Sequence, residues 1–268
     1  MVKKTGMIGL GAMGYPMAKH MVKKGFEVAG FDVAAEAMGR AKAAGVRIVS
    51  SPADAGEGAE VVVVMVATGK QVEDVILESG LLDMLPKGAV VCVASSCSPK
   101  TMRELEAKAN AKGIGLLDTP VVLGQQAADE GKLAVFCGGK ADAFEKARPV
   151  LSAFGKTVLH VGSSGMGQLT KTCNNMLLWA CMSANYETLL FAKRCGADVN
   201  KMIEALNESS GANWSLSRWG KSTGKWAEKD MDVALELAQE AKIAVPLAAL
   251  VDQLMKGMNQ EKMKALMG

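Results

Sequence analysis

Lys171 and Asn175 stand four residues apart behind a run of glycines, in G-S-S-G-M-G-Q-L-T-K-T-C-N-N-M at 162–176. If a helix follows the glycines, this spacing sets both side chains on one face. An amine there can give or take a proton at an alcohol or carbonyl oxygen, and a carboxamide can hold the same molecule. The two histidines, His20 and His160, show no obvious carboxylate partner, so imidazole chemistry is not on offer. Taken alone, a solvated polar helix face is the plainer reading of a lysine and an asparagine.

A second set of residues suggests what else such a site would use. Residues 9–14 read G-L-G-A-M-G, between the strand candidate T-G-M-I-G and a helical Y-P-M-A-K-H-M. The first glycine permits a tight turn, the second a close backbone approach to a pyrophosphate, and the third close helix packing. The next strand, F-E-V-A-G-F-D, ends at Asp32, about twenty residues on, where a carboxylate can hold a ribose diol. A carboxylate there disfavours a 2′-phosphate, and V-A-A-E-A behind it supplies no arginine, so NAD is expected and NADP remains possible. Arg40 and Lys42 come later in the chain. An unrelated glycine turn followed by a surface aspartate is the plain alternative.

The elements that must position these residues follow two periods. Short β-branched runs at 7–8, 26–31, 46–49, 61–66, 90–93 and 114–117 alternate with helical segments at 16–24, 34–44 and 100–112. That alternation predicts an α/β domain built on a parallel sheet covered on both faces. V-V-V-V-M-V, without a polar break, reads as a strand buried on both sides. Beyond Gly167 the strand signal ends, and helices are expected at 168–194, 199–207, 229–241 and 246–258, with Pro246 in a first turn. The boundary is placed in the glycine run, giving domains 1–162 and 163–268.

The 268 residues are 49% hydrophobic, enough to bury a large core. A net charge of +3 gives no reason to expect nucleic acid or an anionic membrane as partner. No apolar stretch is long enough to span a membrane, and the Met1–Lys4 start is not followed by a signal-like segment. The six cysteines form no C-x-x-C pair, so no metal site is expected. Reduced, mostly buried thiols in a cytoplasmic protein are expected instead.

Four motifs in order resemble the β-hydroxyacid dehydrogenase family, which includes 3-hydroxyisobutyrate dehydrogenases and tartronate semialdehyde reductases. They are G-L-G-A-M-G-Y-P-M-A, D-T-P-V-V-L-G at 118–124, the glycine–lysine–asparagine stretch, and K-D-M-D-V-A-L at 229–235. The resemblance covers nearly the whole chain. It implies a Rossmann-type, doubly wound sheet domain followed by an all-α domain like the C-terminal part of 6-phosphogluconate dehydrogenase. It also implies a cleft between them and a homodimer or homotetramer. It implies Lys171 and Asn175 as catalytic residues, with Asn174 beside the substrate. Gly9, Gly11, Ala12, Met13, Gly14, Asp32, Met65, Val66, Ser96 and Lys229 would meet the cofactor. Ser95, Val122, Leu123 and Gly124 would meet a small carboxylate-bearing substrate.

The chain departs from the family where Val122-Leu123-Gly124 replaces the usual Ser-Gly-Gly. A hydroxyl is lost and bulk is added, so the substrate pocket is expected to be more apolar, with Gln125 and Gln126 as replacement polar groups. Ser95 and Ser96 could instead cap the helix opened by Pro99, and Met65 and Val66 could be plain packing. Lys229 could be a surface charge. Trp214, Trp219 and Trp226 could anchor a core or an interface, or line the substrate side. The expected activity is interconversion of a 3-hydroxy acid and its semialdehyde. The alternatives are a reductase of the same fold acting on an imine or sulfonated aldehyde, and a non-catalytic nicotinamide-binding sensor.

Overall fold

The run Val61–Val64 is buried at all four positions. Val61 and Val63 join one core with Met7, Met17 and Phe154; Val62 and Val64 join another with Ile76, Met102 and Leu105. Side chains alternate across a pleat, so a strand feeds two cores only when both faces are covered. Each valine buried this way contributes about 1.5–3 kcal/mol.

The computed structural model describes residues 2–221 and 224–267. It divides into two compact units, Met1–Lys171 and Thr172–Gly268. The first unit begins β1 (Lys4–Ile8), α1 (Gly14–Lys23), β2 (Glu27–Phe31), α2 (Ala35–Ala43), β3 (Arg47–Ile48), α3 (Pro52–Gly56) and β4 (Val61–Val64). It continues α4 (Gly69–Leu77), α5 (Leu81–Met84), β5 (Val90–Val93), α6 (Pro99–Ala111), β6 (Gly115–Asp118) and β7 (Val121–Val122). It closes with α7 (Gly124–Glu130), β8 (Leu133–Gly138), α8 (Ala141–Leu151) and β9 (Gly155–Gly162).

The strand order is β3-β2-β1-β4-β5-β6-β8-β7, with β9 also paired to β8. The ladders from β3 to β6 are parallel, as the alternation predicts. The far end is mixed, because β8 runs antiparallel to β6 and β7. The connection from β7 to β8 is too short for a parallel crossover, which needs a dozen or more residues, so the chain turns back. The pairs Asp118↔Gly138, Val121↔Val135 and Val122↔Ala134 keep one register. β7 thus prolongs β6 past Thr119-Pro120, and Leu123 lies beyond the edge where the parallel strands end.

Helix α9 (Met166–Arg194) leaves the glycine run as the sequence predicts, and the second unit holds helices and turns with no strand among its described residues. Its other helices are α10 (Val199–Asn207), α11 (Ala227–Glu240), α12 (Pro246–Lys256) and α13 (Gln260–Ala265). Trp179, Met182, Leu189, Trp219, Met231 and Val251 form its core. The Trp179 indole donates to Asp230 Oδ2 at 3.0 Å and fastens α9 to α11. Cys92, Cys97 and Cys137 are buried, but Cys173 and Cys195 are exposed, so the thiols are less uniformly buried than expected.

Candidate active site

The glycine loop begins where β1 ends. Gly9 has φ +89° and donates its N–H to Phe31 O at 2.8 Å. A Cβ on Gly9 would lie 2.1 Å from Met65 O, and one on Gly14 would lie 2.0 Å from Gly9 O. Packing alone therefore requires both glycines. Gly11 differs: a Cβ there would meet nothing within 4 Å. Its open side belongs to a cavity of about 510 Å³ lined by Gly9, Gly11, Phe31, Asp32, Met65 and Val66 among others. Ala12 is exposed and Met13 packs partly on the core as the loop enters α1.

Asp32 follows β2 directly. Its Oδ2 accepts from Leu10 N at 2.6 Å and its Oδ1 from Ala34 N at 2.8 Å. The carboxylate thus shapes the glycine loop, and each oxygen retains capacity for a second donor such as a ribose hydroxyl. Arg40 is turned to the Tyr15 ring, 5.8 Å from its centroid, and to Glu36. These features fit the adenosine half of a dinucleotide: a turn stripped to backbone beside open space, with a fixed carboxylate at the next strand end.

The two serines after β5 have separate places. Ser95 is buried; its hydroxyl accepts from Val66 N at 2.8 Å and donates to Val66 O at 3.0 Å. Its carbonyl accepts from Gln168 Nε2 at 2.7 Å. Ser95 therefore stitches the Met65-Val66 turn to the strand end beside it and to the start of α9, and its hydroxyl is engaged by protein. Ser96 Oγ instead accepts from Lys171 Nζ at 2.9 Å. Helix capping, the alternative weighed for this pair, falls to Ser98, which accepts from Thr101 N at 3.0 Å.

Asp118, unassigned in the sequence reading, holds the start of α9. Its Oδ1 accepts from Gly165 N at 2.7 Å and its Oδ2 from Gln168 N at 2.8 Å. A carboxylate there satisfies N–H groups that a first turn leaves without partners and complements the helix dipole. Burial raises the Asp118 carboxyl above its usual 3.8, while N–H groups, those of Gly165 and Gln168 foremost, pull it down. A Cβ on Gly167 would lie 2.4 Å from Phe136 O and 2.7 Å from Asp118 Oδ2. A Cβ on Gly165 would lie 2.9 Å from Pro99. These two glycines make room for protein packed against the start of α9. The aspartate was visible in D-T-P-V-V-L-G, but its burial against a helix start far along the chain was not.

The altered V-L-G triplet divides as well. Val122 is 9% exposed and paired with Ala134 in the sheet, so it serves packing. Leu123 is 39% exposed and held at φ +82°, in left-handed backbone that costs a leucine about 1–2 kcal/mol. Gly124 follows at φ +75° and opens α7. Gln125 Nε2 donates to Ala12 O at 2.8 Å and to Asp129 Oδ1 at 2.9 Å, tying α7 to the glycine loop. Gln126 donates to Glu130 Oε1. Both glutamines are exposed, and the Nε2 of each donates to protein.

Within the second unit, Asn175 is buried and its Oδ1 accepts from Asn174 Nδ2 at 3.0 Å. Lys229 is exposed on the first turn of α11. Trp219 is buried and donates to Met263 O at 3.2 Å. Trp214 and Trp226 are exposed, with Arg218 and Lys225 each 5.0 Å from their ring centroids. No group of three or more potential metal ligands occurs among the described residues. No described helix is long and apolar enough to cross a membrane.

Two family models match the chain. Residues 4–162 match the NAD binding domain of 6-phosphogluconate dehydrogenase. Residues 165–266 match the NAD-binding domain of NADP-dependent 3-hydroxyisobutyrate dehydrogenase. The chain is 34% identical to a Pseudomonas aeruginosa NAD-dependent L-serine dehydrogenase, over 93% of this chain and 90% of that one. It is 35% identical to a 3-hydroxyisobutyrate dehydrogenase of the same organism, over 92% and 89%. Among solved structures, Mycobacterium tuberculosis 3-hydroxyisobutyrate dehydrogenase with L-serine matches at a TM-score of 0.88 and 27% identity, over 96% and 93%.

Proposed function

Because the chain belongs to the β-hydroxyacid dehydrogenase family, we propose that Lys171 moves the proton in its reaction. The protein is an NAD-dependent oxidoreductase acting on CH–OH groups, with NADP as a possible second cofactor. The proposed substrate is a small 3-hydroxy acid, as the names of the relatives suggest. The observation that carries the role of Lys171 is its bond to Ser96 at 2.9 Å, beside the Met65-Val66 turn that lines the cofactor cavity.

Bound NAD supplies the hydride acceptor. The substrate carbinol carbon gives up its hydride as Lys171 Nζ takes the hydroxyl proton, leaving a carbonyl; reduction runs the same exchange backwards. Ser96 holds the amine in place by accepting from it. Asn175, one turn further along α9, would hold the substrate, with Asn174 orienting its amide. Asp32 and the open side of Gly11 would receive the adenosine ribose and the pyrophosphate. Lys229 would reach the cofactor as well. Ser95 and Asp118 act by positioning: one fixes the cofactor turn, the other the helix that carries Lys171.

We further propose a homo-oligomer. Leu247 and Leu250 on α12 are 63% and 56% exposed, and Phe191 on α9 is exposed too. Exposed apolar side chains of this size would be covered in a dimer or tetramer, which the mass of the protein in solution would test. The activity itself is tested by initial rates with NAD and NADP on a panel of 3-hydroxy acids and their semialdehydes. Turnover favouring NAD supports the reading. Tight NAD binding without turnover of any panel member would turn the panel to bulkier or non-carboxylate substrates, and failure there too would favour the sensor alternative.

A further inference from the structure

Leu123 combines three properties that seldom meet in one residue. It is a branched apolar side chain, it is more than a third exposed, and it occupies left-handed backbone that leucine resists. Glycine or asparagine would take the same conformation with little strain. Strained residues of this kind persist where the surrounding structure holds them for a purpose, so the strain is a pointer to function.

Its place in the fold says which function. β7 prolongs β6 in one register, so Leu123 stands past the edge where the parallel strands end. The Gly9–Gly14 loop leaves that edge after β1, and Ser96 leaves it after β5. Ligands of open α/β sheets bind outside this edge. The next residue but one, Gln125, is bonded to Ala12 of the glycine loop, so the turn carrying Leu123 is fixed relative to the cofactor site. No charged side chain adjoins Leu123 along the turn: Val122 is buried and apolar, and the Nε2 groups of Gln125 and Gln126 are engaged by protein.

The substrates named for two relatives, L-serine and 3-hydroxyisobutyrate, share one skeleton. Each is HO–CH2–CH(R)–COO⁻, with R an ammonium in serine and a methyl in hydroxyisobutyrate. We propose that Leu123 is a specificity-determining residue that selects 3-hydroxy acids with an apolar group at C2 and rejects those with a charged one. The inference rests on the dehydrogenase reading above. With R against it, as the proposal has it, an exposed leucine would give contact to an alkyl group. Beside an ammonium it strips water and returns no hydrogen bond.

The test compares kcat/KM for 3-hydroxyisobutyrate and 2-ethyl-3-hydroxypropanoate with that for L-serine, using NAD, in wild type, Leu123→Gly, Leu123→Asn and Leu123→Met. Wild type should favour the alkyl substrates by a hundredfold or more. Leu123→Gly and Leu123→Asn should cut that ratio at least tenfold, and Leu123→Met should keep it. Glycine and asparagine both accept the backbone angle, so these variants fold. A ratio unchanged in both, or a wild type that prefers serine, overturns the role of Leu123 while the dehydrogenase reading stands. A wild type that oxidises none of the three, nor any other 3-hydroxy acid, counts against that reading and removes the inference with it.

Discussion

Lys171 Nζ donates to Ser96 Oγ at 2.9 Å, joining the start of α9 to the turn that follows β5. The two residues lie 75 positions apart in the chain, and neither is placed without the anchors around it. Gln168, one turn earlier on the same helix, is bonded to Ser95 O, and Asp118 holds the first-turn N–H groups.

If Lys171 moves the proton, Lys171→Ala should lower kcat/KM by about 10²–10⁴-fold while NAD affinity stays the same. Ser96→Ala removes only the hydroxyl that holds the amine. It should cost roughly fivefold, the worth of one hydrogen bond of about 1 kcal/mol. Steady-state kinetics beside calorimetric NAD titrations separate the two effects. Equal losses in turnover and NAD binding would assign Lys171 to the cofactor instead.

The glycine loop predicts opposite outcomes from the same one-carbon change. Gly14→Ala drives a methyl onto Gly9 O and should cost about 1–3 kcal/mol of stability, read as a lowered Tm. Gly11→Ala meets no protein atom, so its unfolding free energy should stay within about 0.5 kcal/mol of wild type. Its NAD Kd should rise tenfold or more, because the methyl occupies space kept for the ligand. Normal NAD binding by Gly11→Ala would falsify the placement of the pyrophosphate there.

Asp118 gives a pH dependence whose sign is fixed by its raised pKa. The folded state holds the proton more tightly than the unfolded chain does, so the contribution of Asp118 to stability is fully present below the ordinary value of 3.8. It declines as pH rises through the raised folded value. Asp118→Asn does not titrate. The stability of wild type relative to Asp118→Asn should therefore fall as pH rises from below 3.8 toward neutrality. Denaturant unfolding of both proteins across that range measures it, and a gap that widens with pH would reverse the assignment.

Much of this was legible in the residues. Gly9 to Gly14 and Asp32 stand where strand, loop and strand end were read, because local sequence alone forces a turn and a carboxylate there. The all-apolar V-V-V-V run announced a strand covered on both faces. The strand L-A-V-F-C-G was passed over, and its antiparallel direction depends on pairing with Asp118 and Val121, which no local pattern encodes. Gly165 and Gly167 stand out in the sequence, but what they make room for, Pro99, Phe136 and Asp118, is distant along the chain. Ser95 and Ser96 look alike on paper, and only the third dimension gives one to Val66 and the other to Lys171.

The bond from Gln125 to the Ala12 carbonyl ties the turn at Leu123 to the glycine loop, and would make the two proposed ligand loops partners in one equilibrium. If the proposed sites hold, a nucleotide that shifts Ala12 would strain or relax the turn at Leu123, and a hydroxy acid pressing on Leu123 would do the same in return. Thermodynamic linkage then demands equality: whatever factor the nucleotide applies to acid affinity, the acid applies to nucleotide affinity. Cutting the tether with Gln125→Ala would leave each loop intact but let the two sites answer their ligands separately.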